Sequence, residues 1–162
     1  MAAIFADMSP EISEQERKNG ALVRSAAGGC TVLLENDGTL PLKEPCRIAL
    51  YGHGARNTVK GGTGSGEVNS RFVVNIEEGL RKAGFTVTTG EWLDAQEDAL
   101  SREKAAYMRH MEERARREQA DMVTLMMGEP FVPATLVPLT EEQILSSDTD
   151  TAIYVLDRKS VV

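Results

Sequence analysis

Residues 47–69, RIALYGHGARNTVKGGTGSGEVN, decide the fold of this 162-residue chain. The segment opens with the apolar run 48–51, which is typical of a buried strand and ends at Gly52. A glycine-rich loop follows, and residues without a Cβ let the backbone approach a ligand closely. A helix is predicted over residues 71–83, because apolar side chains recur there at helical spacing. These are Phe72, Val73, Ile76 and Leu80. Strand, glycine loop and helix in this order place a ligand at the carboxyl end of a strand in an α/β sheet.

The rest of the chain alternates between predicted helices and predicted strands. Further helices are expected over residues 9–27, with a start at Ser9-Pro10-Glu11, over 94–119 as a mostly solvated charged helix, and from the capping box at 140–143. Strands are expected over 47–51, 85–89, 122–127 and 151–156. The alternation predicts an α/β fold, a three-layer α/β/α sandwich with a mainly parallel sheet. We expect this fold to be incomplete at the C-terminus, because no helix follows the last strand. The predicted buried sheet positions are Ile48, Leu50, Val87, Leu125, Ile153 and Val155.

Composition and charge argue against several partners and sites. The net charge of -7 argues against nucleic acid and against anionic membranes as partners. No apolar run is long enough to span a membrane and the N-terminus is unlike a signal peptide, so a cytoplasmic location is expected. Cys30 and Cys46 match no metal-binding spacing and are expected to be reduced core thiols. His53 and His110 are far apart in sequence, and neither a metal nor another cofactor is expected.

The glycine loop suits an uncharged ligand better than a phosphate. A phosphate loop requires lysine after its last glycine, and Glu67 stands there instead. The dinucleotide pattern G-x-G-x-x-G begins at Gly52 and fails at Asn57. Glycines mixed with hydroxyl side chains can hydrogen-bond the hydroxyls of a polyol. The residues proposed to do so are Gly62, Thr63, Gly64, Ser65 and Gly66. The alternative is that the glycines serve only the turns of the loop itself.

The sequence resembles glycoside hydrolase family 3 on both sides of Arg47. Residues 21–42, ALVRSAAGGCTVLLENDGTLPL, are similar to the start of that family's second domain, and residues 47–69 to its first strand and its G-G-G-S-G-like loop. TAIYVL at 151–156 resembles the strand before the family's E-G-x-D-R segment. The resemblance implies a retaining β-glycosidase acting on a small carbohydrate. Its nucleophilic aspartate would come from a separate (β/α)8 barrel and its acid/base glutamate from this α/β domain, with Ser65 touching the sugar.

The sequence also departs from the family pattern. No barrel is present, and residues 157–162 read DRKSVV where the segment with the acid/base glutamate should follow. No catalytic residue is therefore assigned, and neither Glu67 nor Glu129 is put in its place. Residues 1–156 are expected to form a partial family 3 domain, of a domain-permuted member, and 157–162 a non-native tail. The chain alone is expected to be inactive. Two rival hypotheses are a nucleotide-binding α/β module and a non-catalytic sugar-binding domain.

Overall fold

The computed structural model describes residues 9–59, 70, 72–133 and 137–156. The chain divides into two compact units, Met1–Lys43 and Glu44–Val162. Among the described residues, the first unit contains one α-helix and a short 3-10 turn, whereas the second contains the sheet and the remaining helices. The strand and the glycine loop that decide the fold therefore belong to the second unit.

In the first unit, helix α1 spans Glu14–Ala26 and a 3-10 turn follows at Ala27–Cys30. The helix begins at a capping box, in which the Ser13 hydroxyl accepts from the Glu16 amide at 3.2 Å and the Glu16 carboxylate accepts from the Ser13 amide at 2.8 Å. The predicted start at Ser9 is wrong, because Ile12, three residues later, cannot complete such a reciprocal pair.

No residue described in the first unit is buried. The apolar side chains of Leu22 and Val23 on α1 are therefore exposed to solvent. Cys30 in this unit and Cys46 in the second are free, as predicted, but both are exposed, so their predicted place in a core is wrong. The Asn36-Asp37-Gly38 sequence is typical of a turn, and the structure has one there, in which the Asn36 side chain accepts from the Gly38 amide at 3.1 Å.

In the part of the second unit that the structure describes, the helices surround a three-stranded parallel sheet. Its strands are β1 (Arg47–Tyr51), β2 (Thr86–Val87) and β3 (Ala152–Tyr154), in the order β2-β1-β3. Parallel neighbours need crossover connections, which here carry helices. These are α2 (Ile76–Lys82), α3 (Gly90–Glu118), α4 (Met122–Gly128) and α5 (Glu141–Leu145). The predicted α/β sandwich with a parallel sheet is confirmed.

Other predicted elements also differ from the structure: α3 begins at Gly90 and not at residue 94, and β2 and β3 are shorter than their predicted ranges 85–89 and 151–156. Two differences are larger. Residues 122–127 form helix α4 and not a strand, because the Asp121 carboxylate caps the helix by accepting from the Thr124 amide at 2.8 Å. Leu125 is therefore helical and not a sheet residue. Helix α2 begins only after Asn75, whose side chain caps it, so Phe72 and Val73 precede the helix and are exposed.

The core of the second unit surrounds β1. Ile48 and Leu50 are fully buried, and Val87 of β2 is buried, as predicted. Strand β3 is less covered than predicted: Ile153 is half-buried, and Val155 lies beyond the end of the strand. The buried apolar residues around β1 form one core cluster, which consists of Ala49, Leu50, Tyr51, Ala55, Val87, Trp92 and Leu93. Helix α3 is largely solvated, as predicted, since it buries only five of its 29 residues.

Candidate functional site

The predicted sugar-binding residues lie outside the described residues, but the segments that flank them are described. Gly62, Thr63, Gly64, Ser65 and Gly66 fall in the gap 60–69, as does Glu67. The loop leaves the carboxyl end of β1 and returns to the chain at the start of α2. The candidate site is therefore the carboxyl edge of the sheet, where the described anchors of this loop lie.

The chain leaves β1 through a glycine that no other residue can replace without strain. Gly52 has φ 95° and ψ 147°, a region that is open almost only to glycine. A Cβ built there would lie 2.2 Å from the carbonyl oxygen of Val155, just past the end of β3. The 3-10 turn His53–Ala55 follows directly, closed by a 3.1 Å bond from the Ala55 amide to the Gly52 carbonyl. The turn after β1 thus packs against the backbone of the neighbouring strand's continuation.

Two side chains tie the ends of the loop to the body of the domain. The Thr58 hydroxyl donates to the Gly54 carbonyl at 2.7 Å and accepts from the Ile76 amide at 3.2 Å. The Asn75 side chain accepts from the Glu78 amide at 2.8 Å and so caps α2. The outgoing and returning ends of the loop therefore meet at Thr58.

A guanidinium group joins the same turn to two helices. Arg56 Nε lies 2.6 Å from Glu77 Oε2 on α2. Arg56 Nη1 lies 2.6 Å from Asp94 Oδ1 and 3.1 Å from Glu97 Oε2, both on α3. Arg81 adds a contact of 2.9 Å to the other oxygen of Glu77. The Arg56 and Glu77 side chains are only 19% and 11% exposed, so this pair is better shielded from solvent than an ordinary surface ion pair, whereas Asp94 and Glu97 are largely exposed.

The electrostatics of the cluster keep its central carboxyl group ionised. Burial alone would raise the pKa of Glu77, but hydrogen bonds and charge from Arg56 and Arg81 outweigh it and hold the pKa below its usual value. The hydrogen bond to Glu77 is the main cause that raises the pKa of Arg56. At neutral pH both Arg56 and Glu77 are ionised, and the positive charge of Arg56 is balanced by the carboxylates that contact it.

The residue that joins β2 to α3 is fixed to β1 by its side chain. The Thr89 hydroxyl donates to the Leu50 carbonyl at 2.6 Å and accepts from the Leu50 amide at 2.9 Å. Helix α3 starts at the next residue, and Trp92 in its first turn packs edge-on against Tyr51 with ring centroids 5.3 Å apart. The Trp92 indole nitrogen is buried without a hydrogen-bond partner among the described residues. The packed aromatic rings of Tyr51 and Trp92 therefore form an apolar layer beneath the carboxyl edge of the sheet.

Sequence reasoning missed the Arg56 cluster. Its only signal was an arginine shortly after a strand, with carboxylates near the starts of two later helices, and that pattern does not say which partners meet. Among the described residues, no three His, Cys, Asp or Glu side chains are arranged so that they could hold a metal ion. Within the same residues, no helix has both the length and the hydrophobicity needed to cross a bilayer.

Comparison with known proteins shows the family. Residues 31–160 match the model of the glycosyl hydrolase family 3 C-terminal domain. Over 50 residues the chain is 48% identical to Beta-glucosidase A of Butyrivibrio fibrisolvens, covering 30% of this chain and 6% of that protein. The structure of beta-glucosidase 3B from Thermotoga neapolitana in complex with α-D-glucose matches with a TM-score of 0.56 and 26% identity, over 91% of this chain and 19% of that one. The chain spans less than a fifth of the length of either relative.

The fold and the family match agree with one another. A parallel sheet has a central strand that opens into a glycine-rich segment, and the matched residues 31–160 include both. Since the match covers most of the chain, the protein belongs to the glycosyl hydrolase family 3 C-terminal domain family.

Proposed function

We propose that this domain contributes a sugar-contacting loop to a retaining β-glycosidase of the β-glucosidase type. The observation that carries the proposal is the family match over a chain whose glycine loop leaves the carboxyl end of the central strand. The active site would be completed by a (β/α)8 barrel that supplies the nucleophilic aspartate. We call this domain working with such a barrel the assembled enzyme. Its substrate would be a small β-linked glucoside, in keeping with the names of the two relatives.

The carboxylates described at the carboxyl edge are unsuited to act as the general acid. A glycosidase acid must hold a proton at the working pH, which requires a raised pKa. Glu77 has a lowered pKa and is bound by two arginines. Asp94 and Glu97 contact the same guanidinium group. We therefore assign these three groups a structural role, and the proposed acid/base glutamate is none of them.

The charge pattern favours a neutral ligand over a nucleotide. Arg56 is the first cation after β1, and a phosphate-binding site would need such a group to face the ligand. Three carboxylates already surround its guanidinium group. The nucleotide hypothesis predicts a higher melting temperature of the chain with Mg-ATP, whereas our proposal predicts no change.

The test is a serine substitution in the assembled enzyme. Ser65→Ala removes one proposed hydrogen bond to the sugar and should lower kcat/KM on an aryl β-glucoside roughly 10- to 100-fold. Ser101→Ala is the matched control, because Ser101 is an exposed residue on α3, and it should leave kcat/KM unchanged. Equal kinetics for Ser65→Ala and the control would contradict the proposed contact.

A second assay separates the domain from the assembled enzyme. Retaining hydrolysis needs two carboxyl groups roughly 5–5.5 Å apart across the glycosidic bond. Since the proposed nucleophile belongs to the barrel, the 162-residue chain alone should not hydrolyse aryl β-glycosides. Turnover by the purified chain that Ser65→Ala abolishes would place a complete active site within it and would overturn the division of roles.

A further inference from the structure

Arg56 holds together three parts of the domain that surround the base of the glycine loop. It follows the turn His53–Ala55 that leaves β1. Glu77 is the second residue of α2, where the loop returns, and Asp94 and Glu97 are the fifth and eighth residues of α3. One side chain thus connects the outgoing chain, the returning chain and the helix that follows β2.

The geometry of these contacts fixes orientation as well as distance. Arg56 meets Glu77 with two nitrogens, Nε at 2.6 Å from Oε2 and Nη2 at 3.5 Å from Oε1, in the fork arrangement that only arginine can form. Its Nη1 is directed at α3, where it reaches Asp94 at 2.6 Å. A guanidinium group bound on two sides has little freedom left, so the turn that carries it is fixed relative to both helices.

A second arginine cluster of the domain provides a comparison. Arg114 on α3 also contacts two carboxylates, Glu118 at 3.0 Å and Glu129 at 2.8 Å. This cluster joins the far end of α3 to the residue after α4, away from the sheet in sequence, and its arginine side chain is 29% exposed against 19% for Arg56. The two clusters have similar chemistry but only one of them touches both ends of the glycine loop.

We propose that Arg56 is a positioning residue for sugar binding, which holds the two ends of the glycine loop in the arrangement that its sugar contacts require. The inference rests on the proposed function. Arg56 would not touch the sugar, because Glu77, Asp94 and Glu97 occupy its nitrogens. Its effect on catalysis would pass through the loop, so it should depend on the loop residue that does make contact, Ser65.

The experiment is a double-mutant cycle in the assembled enzyme, with kcat/KM on an aryl β-glucoside measured well below the melting temperature of each variant. Arg56→Met alone should lower kcat/KM at least about 10-fold, and adding Ser65→Ala should then cost less than about threefold, because a misplaced loop has no contact left to lose. Arg56→Lys should recover only part of the activity, since an ammonium group cannot form the fork. Arg114→Met, the matched control, should leave the full effect of Ser65→Ala in place.

The possible outcomes separate the two proposals. If Ser65→Ala lowers kcat/KM by the same factor with Arg56 and with Met at that position, the positioning role is wrong and the proposed function stands. If Ser65→Ala has no effect in the unchanged background, the proposed function fails and the inference fails with it. If Arg56→Met does not fold, Glu77→Gln replaces it in the same cycle, because it keeps the size of the side chain and removes its charge. Additive effects of Glu77→Gln and Ser65→Ala would equally overturn the inference.

Discussion

Replacing Gly52 by alanine tests the close approach between the end of β1 and the chain after β3. The added Cβ would lie 2.2 Å from the Val155 carbonyl oxygen and 2.9 Å from its carbon and nitrogen. All three are backbone atoms, which cannot rotate away as a flexible side chain could. The Val155 amide also donates to the Tyr51 carbonyl at 2.9 Å, so relief of the contact pulls on the bond that extends the β1–β3 pairing.

The expected loss of stability follows from two costs. An alanine at φ 95°, ψ 147° occupies a region that costs about 1–3 kcal/mol. To make room for the Cβ, the chain at Gly52 and the chain at Val155 must move apart by about an ångström. This movement breaks the hydrogen bond from the Val155 amide to the Tyr51 carbonyl, worth about 1 kcal/mol, and loosens the local packing. We expect Gly52→Ala to lower the free energy of unfolding by about 3–5 kcal/mol. With a urea m-value near 2 kcal/mol/M, the midpoint should fall by about 2 M.

Trp92 is the reporter for this measurement, because it is the only tryptophan and is 6% exposed in the folded domain. Two control variants separate the costs. Gly84→Ala has a similar φ of 92° but meets only the Pro45 side chain at 3.3 Å, so it should lose about 1–2 kcal/mol. Gly128→Ala meets nothing within 4 Å and should be neutral or slightly stabilising. A Gly52→Ala midpoint equal to that of Gly84→Ala would refute the close contact with Val155.

Two further variants test the ion cluster and the packing of α3. The pKa of Glu77 is lowered in the folded state, so the stabilisation from its ionised carboxylate is complete above the usual pKa of 4.5 and is lost as the pH falls through the folded pKa. Below pH 4.5 the urea midpoint of Glu77→Gln should therefore decline less than that of the parent. Parallel declines of the two midpoints would contradict the lowered pKa. Met111 is fully buried, so Met111→Ala should cost about 2–5 kcal/mol in the same urea assay. Met127→Ala, at a residue 80% exposed on α4, should stay within about 0.5 kcal/mol, and equal losses at the two methionines would refute the packing of α3.

The sequence predicted best the elements whose signals are local. Strand β1 has the bounds expected from its apolar run, and α5 begins at its capping box because Thr140 and Gln143 are three residues apart and bond each other. The turn at Gly38 is equally local. In each case the residues that decide the structure are neighbours in the chain, so no knowledge of the tertiary fold was needed.

The errors arise where a cap or the tertiary fold outweighs an apolar run. An apolar run such as 122–127 fits a buried strand and a short helix equally well, and the Asp121 cap decides for the helix. Strand β3 has the composition of a buried strand, yet it is an edge strand of the described sheet and Tyr154 is 47% exposed. Burial depends on what packs against an element, and an apolar run does not name its partner.

The candidate site shows the same division. The glycine pattern and the family resemblance indicated residues 62–66 from sequence, and the role of Ser65 remains a prediction because that segment lies outside the described residues. The Arg56 cluster could not be predicted, since its members are separated by up to 41 residues in the chain. Only the parallel pairing of β1 with β2 brings the starts of α2 and α3 to the turn that carries Arg56.

The anchors of the glycine loop matter more for orientation than for entropy. If the anchors fix residues 52–58, the segment left free shortens from residues 52–75 to residues 59–75. The entropic cost of closing the loop then changes by only about 0.3 kcal/mol. That difference is too small to account for three separate interactions at one edge of the sheet. They are the close approach of Gly52 to Val155, the two hydrogen bonds of Thr58 and the ion pair of Arg56 with Glu77. Each fixes a direction: Gly52 sets the exit from β1, Thr58 joins the two ends, and Arg56 aligns them with α2 and α3. Glycine gives a loop many backbone conformations, and a binding loop needs one of them. We infer that these flanking residues fix where the two ends of the loop lie, whichever conformation its glycines adopt.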